Sequence, residues 1–177
     1  MFKQQIKQHG FSLIELIIVV GIIALLSSIV VASLTDAREG ARNNKRNELA
    51  RQYVNALGIF NTEFGNFPDP DNDSTSFYCL GTGYPSSECR VYDVHSQNPN
   101  INGDIDDFIP TPPSLDAFTY NGDSYFGLAY KCTDADCLGY SLDWMLEGGG
   151  SDANCFGGAT AVSFGSSFTY CSFTAQN

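Results

Sequence analysis

Glu15 is the only charged residue between Phe11 and Thr35, in a stretch otherwise made of Ile, Leu, Val, Ala, Phe, Gly and Ser. A carboxylate in the hydrocarbon core of a membrane costs roughly 2.5–3.5 kcal/mol, so such a residue usually has a partner or a task. A short leader with two lysines, residues 1–10, precedes it. The pattern predicts a buried negative charge that requires a positive charge or hydrogen-bond donors from elsewhere.

The element that must position Glu15 is the uncharged segment from Leu16 to Thr35. A helix of 20 such residues spans about 30 Å, which is the thickness of a hydrocarbon core. A secretory signal peptide is one alternative, because Ala32 and Ser33 are small enough for a signal peptidase, although its apolar region runs only about 7–15 residues. A plain membrane anchor is a second alternative, which explains the length of the segment but not Glu15.

A specific motif joins the leader to this segment. Gly10-Phe11-Ser12-Leu13-Ile14-Glu15, continued by an apolar run to Leu26, resembles the processing site of type IV prepilins and of the pseudopilins of type II secretion. The resemblance implies that a prepilin peptidase cuts between Gly10 and Phe11 and methylates the new amine of Phe11. It also implies that Glu15 pairs with the Phe11 amine of a neighbouring subunit, since a paired buried charge is tolerable where a lone one is costly.

The resemblance implies a structural protein and not an enzyme, namely a type IV pilus subunit that polymerises through its N-terminal helix and serves adhesion, twitching motility or DNA uptake. The implied partners are copies of itself and other pilins, the prepilin peptidase, an inner-membrane assembly platform, and membrane lipid before assembly. The implied location is the bacterial inner membrane for the prepilin and then an extracellular pilus on the cell surface. A pseudopilin of a type II secretion system is the alternative, because Phe60–Pro68 and Tyr140–Glu147 look similar to major pseudopilins.

The resemblance implies a leader (1–10) and a transmembrane and assembly helix (11–35). Composition and periodicity then indicate an amphipathic continuation of that helix (36–64) and a globular head (65–177). Apolar residues at helical spacing predict a stripe that docks on a sheet: Leu49, Tyr53, Leu57, Phe60 and Phe64. Gly65 and Pro68 predict the end of the helix.

The first part of the continuation, residues 36–47, is polar on all sides and predicts an exposed neck. Four of its bases share one face at three- and four-residue spacing: Arg38, Arg42, Lys45 and Arg46. Two interpretations stay open for this face. It is either simply solvated, or it contacts lipid phosphates or the acidic head of a neighbouring subunit.

The sequence of the head predicts a small antiparallel sheet. The expected fold class is therefore α+β, with one long N-terminal helix packed on that sheet, and the pilin resemblance implies the same fold. Alternation over residues 138–146 predicts a strand with one buried face, paired through a turn at 133–136 with a strand over 126–132. Further strands are predicted at 168–173 and 161–164. Residues 66–124, rich in Pro, Asn, Asp, Ser and Gly, predict a long irregular excursion with one short hairpin between 77 and 94.

Six cysteines in an exported domain indicate disulfides, and 15 pairings are open to them: Cys79, Cys89, Cys132, Cys137, Cys155 and Cys171. Neighbouring pairs are favoured, 79–89, 132–137 and 155–171. The middle pair would tie the ends of the predicted hairpin, and the last would close a C-terminal loop similar to that of many type IV pilins. A zinc site at Cys132 and Cys137 is a weak alternative, because no histidine lies near them.

The head is strongly acidic, with 15 Asp and Glu residues against two bases, Arg90 and Lys131, in residues 65–177, for a net charge of −13. Such a head does not bind nucleic acid, because phosphate affinity requires Lys and Arg. Asp93, His95 and Ser96 are close in sequence, but nothing in the pattern positions them for catalysis.

No cofactor is indicated by the sequence, which leaves only a weak calcium site open. The candidate ligands are Asp69, Asp71 and Asp73, and less specifically the acids of residues 104–107. The first group is not an EF-hand loop, because Leu80 stands where the bidentate Glu is required.

Overall fold

The computed structural model describes residues 12–82, 84–109, 117–149, 154–165 and 167–176. The chain divides between Arg38 and Glu39 into two compact units. The first consists, in its described part, of helical residues alone. The second contains the rest of that helix and every strand that the structure describes. Helix residues from Glu39 onward therefore belong to the same compact unit as the sheet.

The first helix, α1, covers Leu13–Phe64. Gly65 ends it as the sequence predicts, with a φ of +83° that favours glycine, and its backbone N–H donates to the Asn61 carbonyl at 2.8 Å. In the second unit the predicted stripe is buried at Leu49, Tyr53, Leu57 and Phe60. The prediction was wrong for Phe64, which is 57% exposed, because the helix ends there and its ring stacks only beside that of Phe60.

Five strands form the main antiparallel sheet: β1 (Tyr78–Leu80), β6 (Leu128–Cys132), β7 (Gly139–Glu147), β9 (Phe168–Gln176) and β8 (Thr160–Phe164), in that spatial order. The remaining strands form two hairpins, β2 (Glu88–Val91) with β3 (Asp93–Ser96), and β4 (Phe118–Tyr120) with β5 (Asp123–Tyr125). A short helix, α2, covers Pro99–Asp106 and is capped by the Asn98 side chain. The fold is α+β and pilin-like, as predicted.

The excursion over 66–124 is more regular than the sequence predicts. Its first strand, β1, joins the main sheet by pairing with β6, so Cys79 lies opposite Ala129. The hairpin within it runs from Glu88 to Ser96, and α2 follows. These elements are short and rich in turn residues, so their stability comes from packing on the sheet and not from a pattern that is visible in the sequence.

One face of the sheet packs on the helix. The buried helix side chains share a core with Trp144, Leu142 and Tyr130. The Trp144 ring stacks on Phe156 at 5.0 Å between centroids, and its indole N–H donates to the Asn47 side-chain oxygen at 3.0 Å. A buried indole N–H usually has such an acceptor, so Asn47 fixes the orientation of the largest core side chain.

The opposite face of the sheet is also covered. Val91, Phe118, Ala129, Met145 and Phe168 form a second apolar cluster there. The prediction that β7 has only one buried face was therefore wrong, because the excursion folds over the other one.

Asp143 is the polar member of that covered face, with only 3% of its surface exposed. Burial raises the pKa of Asp143, and hydrogen bonds to its carboxylate, among them those from the Tyr170 and Ser141 hydroxyls, offset part of this shift. A buried carboxylate that accepts several hydrogen bonds is tolerable within an apolar cluster.

The six cysteines form the three neighbouring pairs that the sequence analysis favoured, Cys79–Cys89, Cys132–Cys137 and Cys155–Cys171. The first joins β1 to β2, the second closes the turn between β6 and β7, and the third ties the segment before β8 to β9. Each one therefore fastens a peripheral segment to the main sheet. Closing a loop of about 15 residues is worth about 3 kcal/mol when the entropy of the unfolded chain is considered alone.

The docking of α1 on the sheet is tested by Leu57→Ala in the detergent-solubilised full chain. Leu57 is fully buried, so we expect a loss of roughly 2–5 kcal/mol in the free energy of unfolding. Ile59→Ala is the matched control, because Ile59 lies on the same helix and is 55% exposed; its loss should stay within about 0.5 kcal/mol. Denaturant unfolding followed by Trp144 fluorescence measures both. Equal losses in the two variants would contradict the packing.

Candidate assembly segment and its neighbouring ion cluster

The apolar part of α1 is exposed in the part of the chain that the structure describes. Every large apolar side chain from Leu13 to Leu34 that the structure describes is between 47% and 75% exposed. By length and composition α1 is the one helix among the described residues that is able to cross a membrane, with a mean hydropathy of 2.9 over its most apolar 18 residues. Surface of this kind requires lipid or another protein chain as its environment.

Glu15 has a local role at the beginning of this segment. Its carboxylate accepts a hydrogen bond from the backbone N–H of Ser12 at 2.9 Å, three residues earlier. Ser12 and Glu15 have the S-x-x-E spacing of a capping box, in which the acidic side chain satisfies a backbone donor at the start of a helix. One carboxylate oxygen is used in this way, so the charge is held at the first turn with its second oxygen available to a further donor.

Three other polar side chains of the segment bond back to their own helix. The Ser28 hydroxyl donates to the Leu25 carbonyl at 2.8 Å, the Ser33 hydroxyl to the Ile29 carbonyl at 3.2 Å, and the Thr35 hydroxyl to the Val31 carbonyl at 3.1 Å. Hydroxyls that bond back to the helix lose little when they enter an apolar environment. Glu15 is the only charged group between Phe11 and Thr35, and its burial costs more than that of these hydroxyls.

Comparison with known families addresses the same stretch. Residues 6–31 match the family described as "Prokaryotic N-terminal methylation motif". The chain carries the N-terminal signal of type IV pilins and pseudopilins. The match spans Glu15, and it indicates a structural subunit and not an enzyme. No curated protein and no solved structure matches the chain significantly.

The structure describes only part of the predicted processing site. Gly10 and Phe11, the predicted cleavage and methylation residues, lie outside the described residues. Glu15 lies within them, in the first turn of α1. Cleavage after Gly10, methylation of Phe11 and the pairing of Phe11 with Glu15 accordingly stay predictions from the motif.

The pilin signal is followed by a partly buried ion cluster that the sequence analysis missed. Arg42 donates from Nε and Nη2 to the two carboxylate oxygens of Glu147 at 2.7 and 2.5 Å, and Arg46 donates to the same carboxylate at 2.8 Å. Asn43 donates to the Glu147 carbonyl at 2.8 Å and accepts from its N–H at 2.9 Å. Three residues on one face of α1 thereby hold the end of the central strand β7.

This cluster corrects the prediction of an exposed neck over 36–47. Arg46 and Asn43 are buried, with 3% and 5% of their surface exposed, and the bases at 42 and 46 contact an acid of their own chain. Burial by itself raises the pKa of Glu147, but the hydrogen bonds and charges of Arg42 and Arg46 outweigh it and lower that pKa. The i, i+4 spacing of the two arginines was visible in the sequence, but their acidic partner about 100 residues away was not.

The calcium candidates are not brought together. Among the described residues no three His, Cys, Asp or Glu side chains are grouped as a metal ion requires. Asp69 instead accepts from the Asn72 backbone at 2.7 Å, and Asp71 accepts from the Asn100 side chain at 2.9 Å.

Asp73 accepts from Thr75 and Ser76 within its own turn and from the Tyr78 hydroxyl. These hydrogen bonds lower the pKa of Asp73. The three carboxylates therefore serve local turns and contacts.

Two of the residues considered for catalysis, Asp93 and His95, have structural roles. One ring nitrogen of His95 lies 3.2 Å from the Val91 carbonyl, and the ring lies 5.5 Å from that of Phe77. Asp93 and His95 belong to the short strand β3, which pairs only with β2 over its four residues.

The ion cluster is tested by Glu147→Gln. This change leaves the buried Arg46 charge without its counter-ion, and we expect a loss of roughly 3–5 kcal/mol in the free energy of unfolding at pH 7. The folded-state pKa of Glu147 lies below its ordinary value. The stability that the ionised carboxylate contributes is therefore fully present above the ordinary pKa of a glutamate, about 4.3. This stability is lost as the pH falls through the lower folded-state pKa of Glu147. Denaturant unfolding at several pH values measures the difference between wild type and variant.

Glu48→Gln is the control, because Glu48 is 62% exposed and pairs with Arg51 only at 4.0 Å. Its effect should stay within about 0.5 kcal/mol at every pH. A Glu147→Gln loss that persists unchanged at acidic pH would contradict the ionic origin of the effect.

Proposed function

We propose that this protein is the structural subunit of a type IV pilus, which polymerises through α1 after a prepilin peptidase removes residues 1–10. The observation that supports this most directly is the lone Glu15 in an uncovered apolar helix that carries the methylation motif. Neither a signal peptide nor a plain anchor requires that charge. A polymerising helix does, because apolar packing alone does not discriminate between lipid and a second helix.

The assembly step follows from the cost of burying one charge. In the bilayer, a subunit holds Glu15 with a single hydrogen bond from Ser12. Cleavage creates an amine on Phe11, and the Glu15 carboxylate has an acceptor oxygen available for it. When the Phe11 amine of one subunit pairs with the Glu15 carboxylate of the next, neither charge is left unpaired in an apolar environment. The pair also fixes the axial register of the two helices.

The head supports the surface location. Its three disulfides are typical of an oxidising compartment, which supports a location of residues 65–177 outside the cytoplasm. Its net charge of −13 keeps an exposed domain soluble. The partners in this proposal are other copies of the chain and other pilins, the prepilin peptidase, an inner-membrane platform, and lipid before assembly.

The charge of Glu15 is tested separately from its capping role. Glu15→Gln keeps an acceptor for the Ser12 N–H but removes the charge, whereas Glu15→Ala removes both. We expect both variants to be cleaved normally and both to lower the yield of sheared filaments by about tenfold or more, which corresponds to a loss of about 1.4 kcal/mol or more per contact. Immunoblots of sheared and membrane fractions measure yield and leader removal.

Glu63→Gln is the matched control, an exposed acid on the same helix outside the apolar segment, and it should assemble as wild type. Normal filament yield in Glu15→Gln would show that the cap suffices and would contradict charge pairing.

The location of the filament is tested by mass spectrometry of the N-terminal peptide, with sheared extracellular material and membranes analysed separately. We expect a peptide that begins with N-methylated Phe11 in the sheared fraction. The same peptide confined to membranes would identify a pseudopilin of type II secretion, because such filaments stay short. An intact leader in both fractions, or a start near Ser33, would contradict the proposal and leave an anchored or secreted domain.

A further inference from the structure

The charge of the head is unevenly distributed along the chain. Residues 65–177 carry a net charge of −13, yet no Asp, Glu, Lys, Arg or His occurs from Ala153 to Asn177. This uncharged stretch supplies the whole of β8 and β9. Two copies of such an acidic head repel each other over most of their surface. The surface formed by the uncharged stretch is where a second copy approaches at the lowest electrostatic cost.

The same stretch forms an open edge of the main sheet. β8 pairs with β9 on one side and with no other described strand. It contains neither proline nor a charged residue, which are the devices that usually block pairing at an edge. The opposite edge is closed, because Cys79 in β1 bridges to Gln97 and is bonded to Cys89. Among the described residues, β8 is the edge strand that combines an unpaired outer side with a charge-free sequence.

An apolar groove of about 330 Å³ lies beside this edge, lined by Tyr92, Val162, Phe164 and Tyr170. Tyr92 is 59% exposed and Val162 52%, and the Tyr92 ring lies 6.2 Å from that of Phe164. Tyr92 is held at the tip of the β2–β3 hairpin, where its N–H donates to the Met145 sulfur at 3.1 Å. Exposed aromatic and aliphatic side chains of this kind are typical of a contact surface.

We propose that the β8 edge and this groove, here called the β8 surface, are the contact through which a neighbouring copy of this chain packs head against head. The inference rests on the proposed assembly into a filament and names the head contact of that assembly. A copy of the chain fits as occupant because an acidic partner requires an uncharged surface, and this edge supplies one together with unpaired backbone groups. A filament repeats one such contact between each subunit and the next.

The first test places a charge in the β8 surface. Val162→Asp should lower the yield of sheared filaments by about tenfold or more, because a carboxylate would be buried against a second acidic head. Val162→Thr keeps the shape without a charge and should retain most of the yield. Leu138→Asp adds the same charge at an exposed apolar residue away from the β8 surface and should also assemble. Equal loss in Leu138→Asp, or normal yield in Val162→Asp, would overturn the inference.

The second test does not depend on filament formation. A photo-crosslinking amino acid, p-benzoyl-phenylalanine, replaces Phe164 in the full chain, and intact cells are irradiated. Covalent dimers of this chain, absent when the same group replaces Leu138, are the expected result. Crosslinks to another protein, to glycan or only within one chain would overturn the inference. Dimers crosslinked from position 164, together with an absence of filaments from cells that express the wild-type chain, would refute the proposed pilus while upholding the β8 contact.

Discussion

The uncovered apolar surface of α1 is the constraint on which the rest of this protein depends. The described large apolar side chains from Leu13 to Leu34 are at least 47% exposed, and apolar area in water costs about 25 cal/mol for each Å². Lipid removes that cost as well as a second helix does, so apolar burial explains membrane residence but not assembly. The difference between the two environments lies in Glu15, the one group that lipid cannot satisfy. The proposed polymer follows from that asymmetry.

The second compact unit differs from the apolar segment, because its apolar residues are buried within the unit itself and not by lipid. It does so by covering the sheet on both faces, with α1 on one side and the β2–β3 and β4–β5 hairpins on the other. The disulfides join β1 to β2, close the β6–β7 turn and tie the segment before β8 to β9, and Cys132, Cys137 and Cys171 are themselves part of the main core. The central strand β7 needs no crosslink, because it is hydrogen-bonded along both edges.

Charged residues of the second unit have two different roles, in ion pairs within the chain and on the surface of the head. Glu147 forms ion pairs with Arg42 and Arg46 at the end of β7, so these two bases of the helix face have an acidic partner within the chain. The remaining acids keep the head soluble, and the uncharged C-terminal stretch interrupts that repulsion. The distribution of charge thus separates surfaces that face solvent from the one surface on which another acidic head is able to pack.

The sequence by itself determined the features that depend on neighbours along the chain. The motif ending in Glu15, the helix end at Gly65, and the strands near residues 126–132 and 138–146 follow from local spacing and periodicity, and so does the preference for disulfides between nearby cysteines. Loop closure favours nearby pairs, and hydrophobic period reports the element type.

Only the tertiary structure decided which distant residues meet. The contact of Arg42 and Arg46 with Glu147, the burial of Asp143 on the second face of β7, and the placing of Tyr92 beside β8 all join residues far apart in the chain. Side-chain periodicity shows which face of an element is apolar. It does not show what covers that face, because the cover depends on how the whole chain fills space, and this is why the neck was wrongly expected to be exposed.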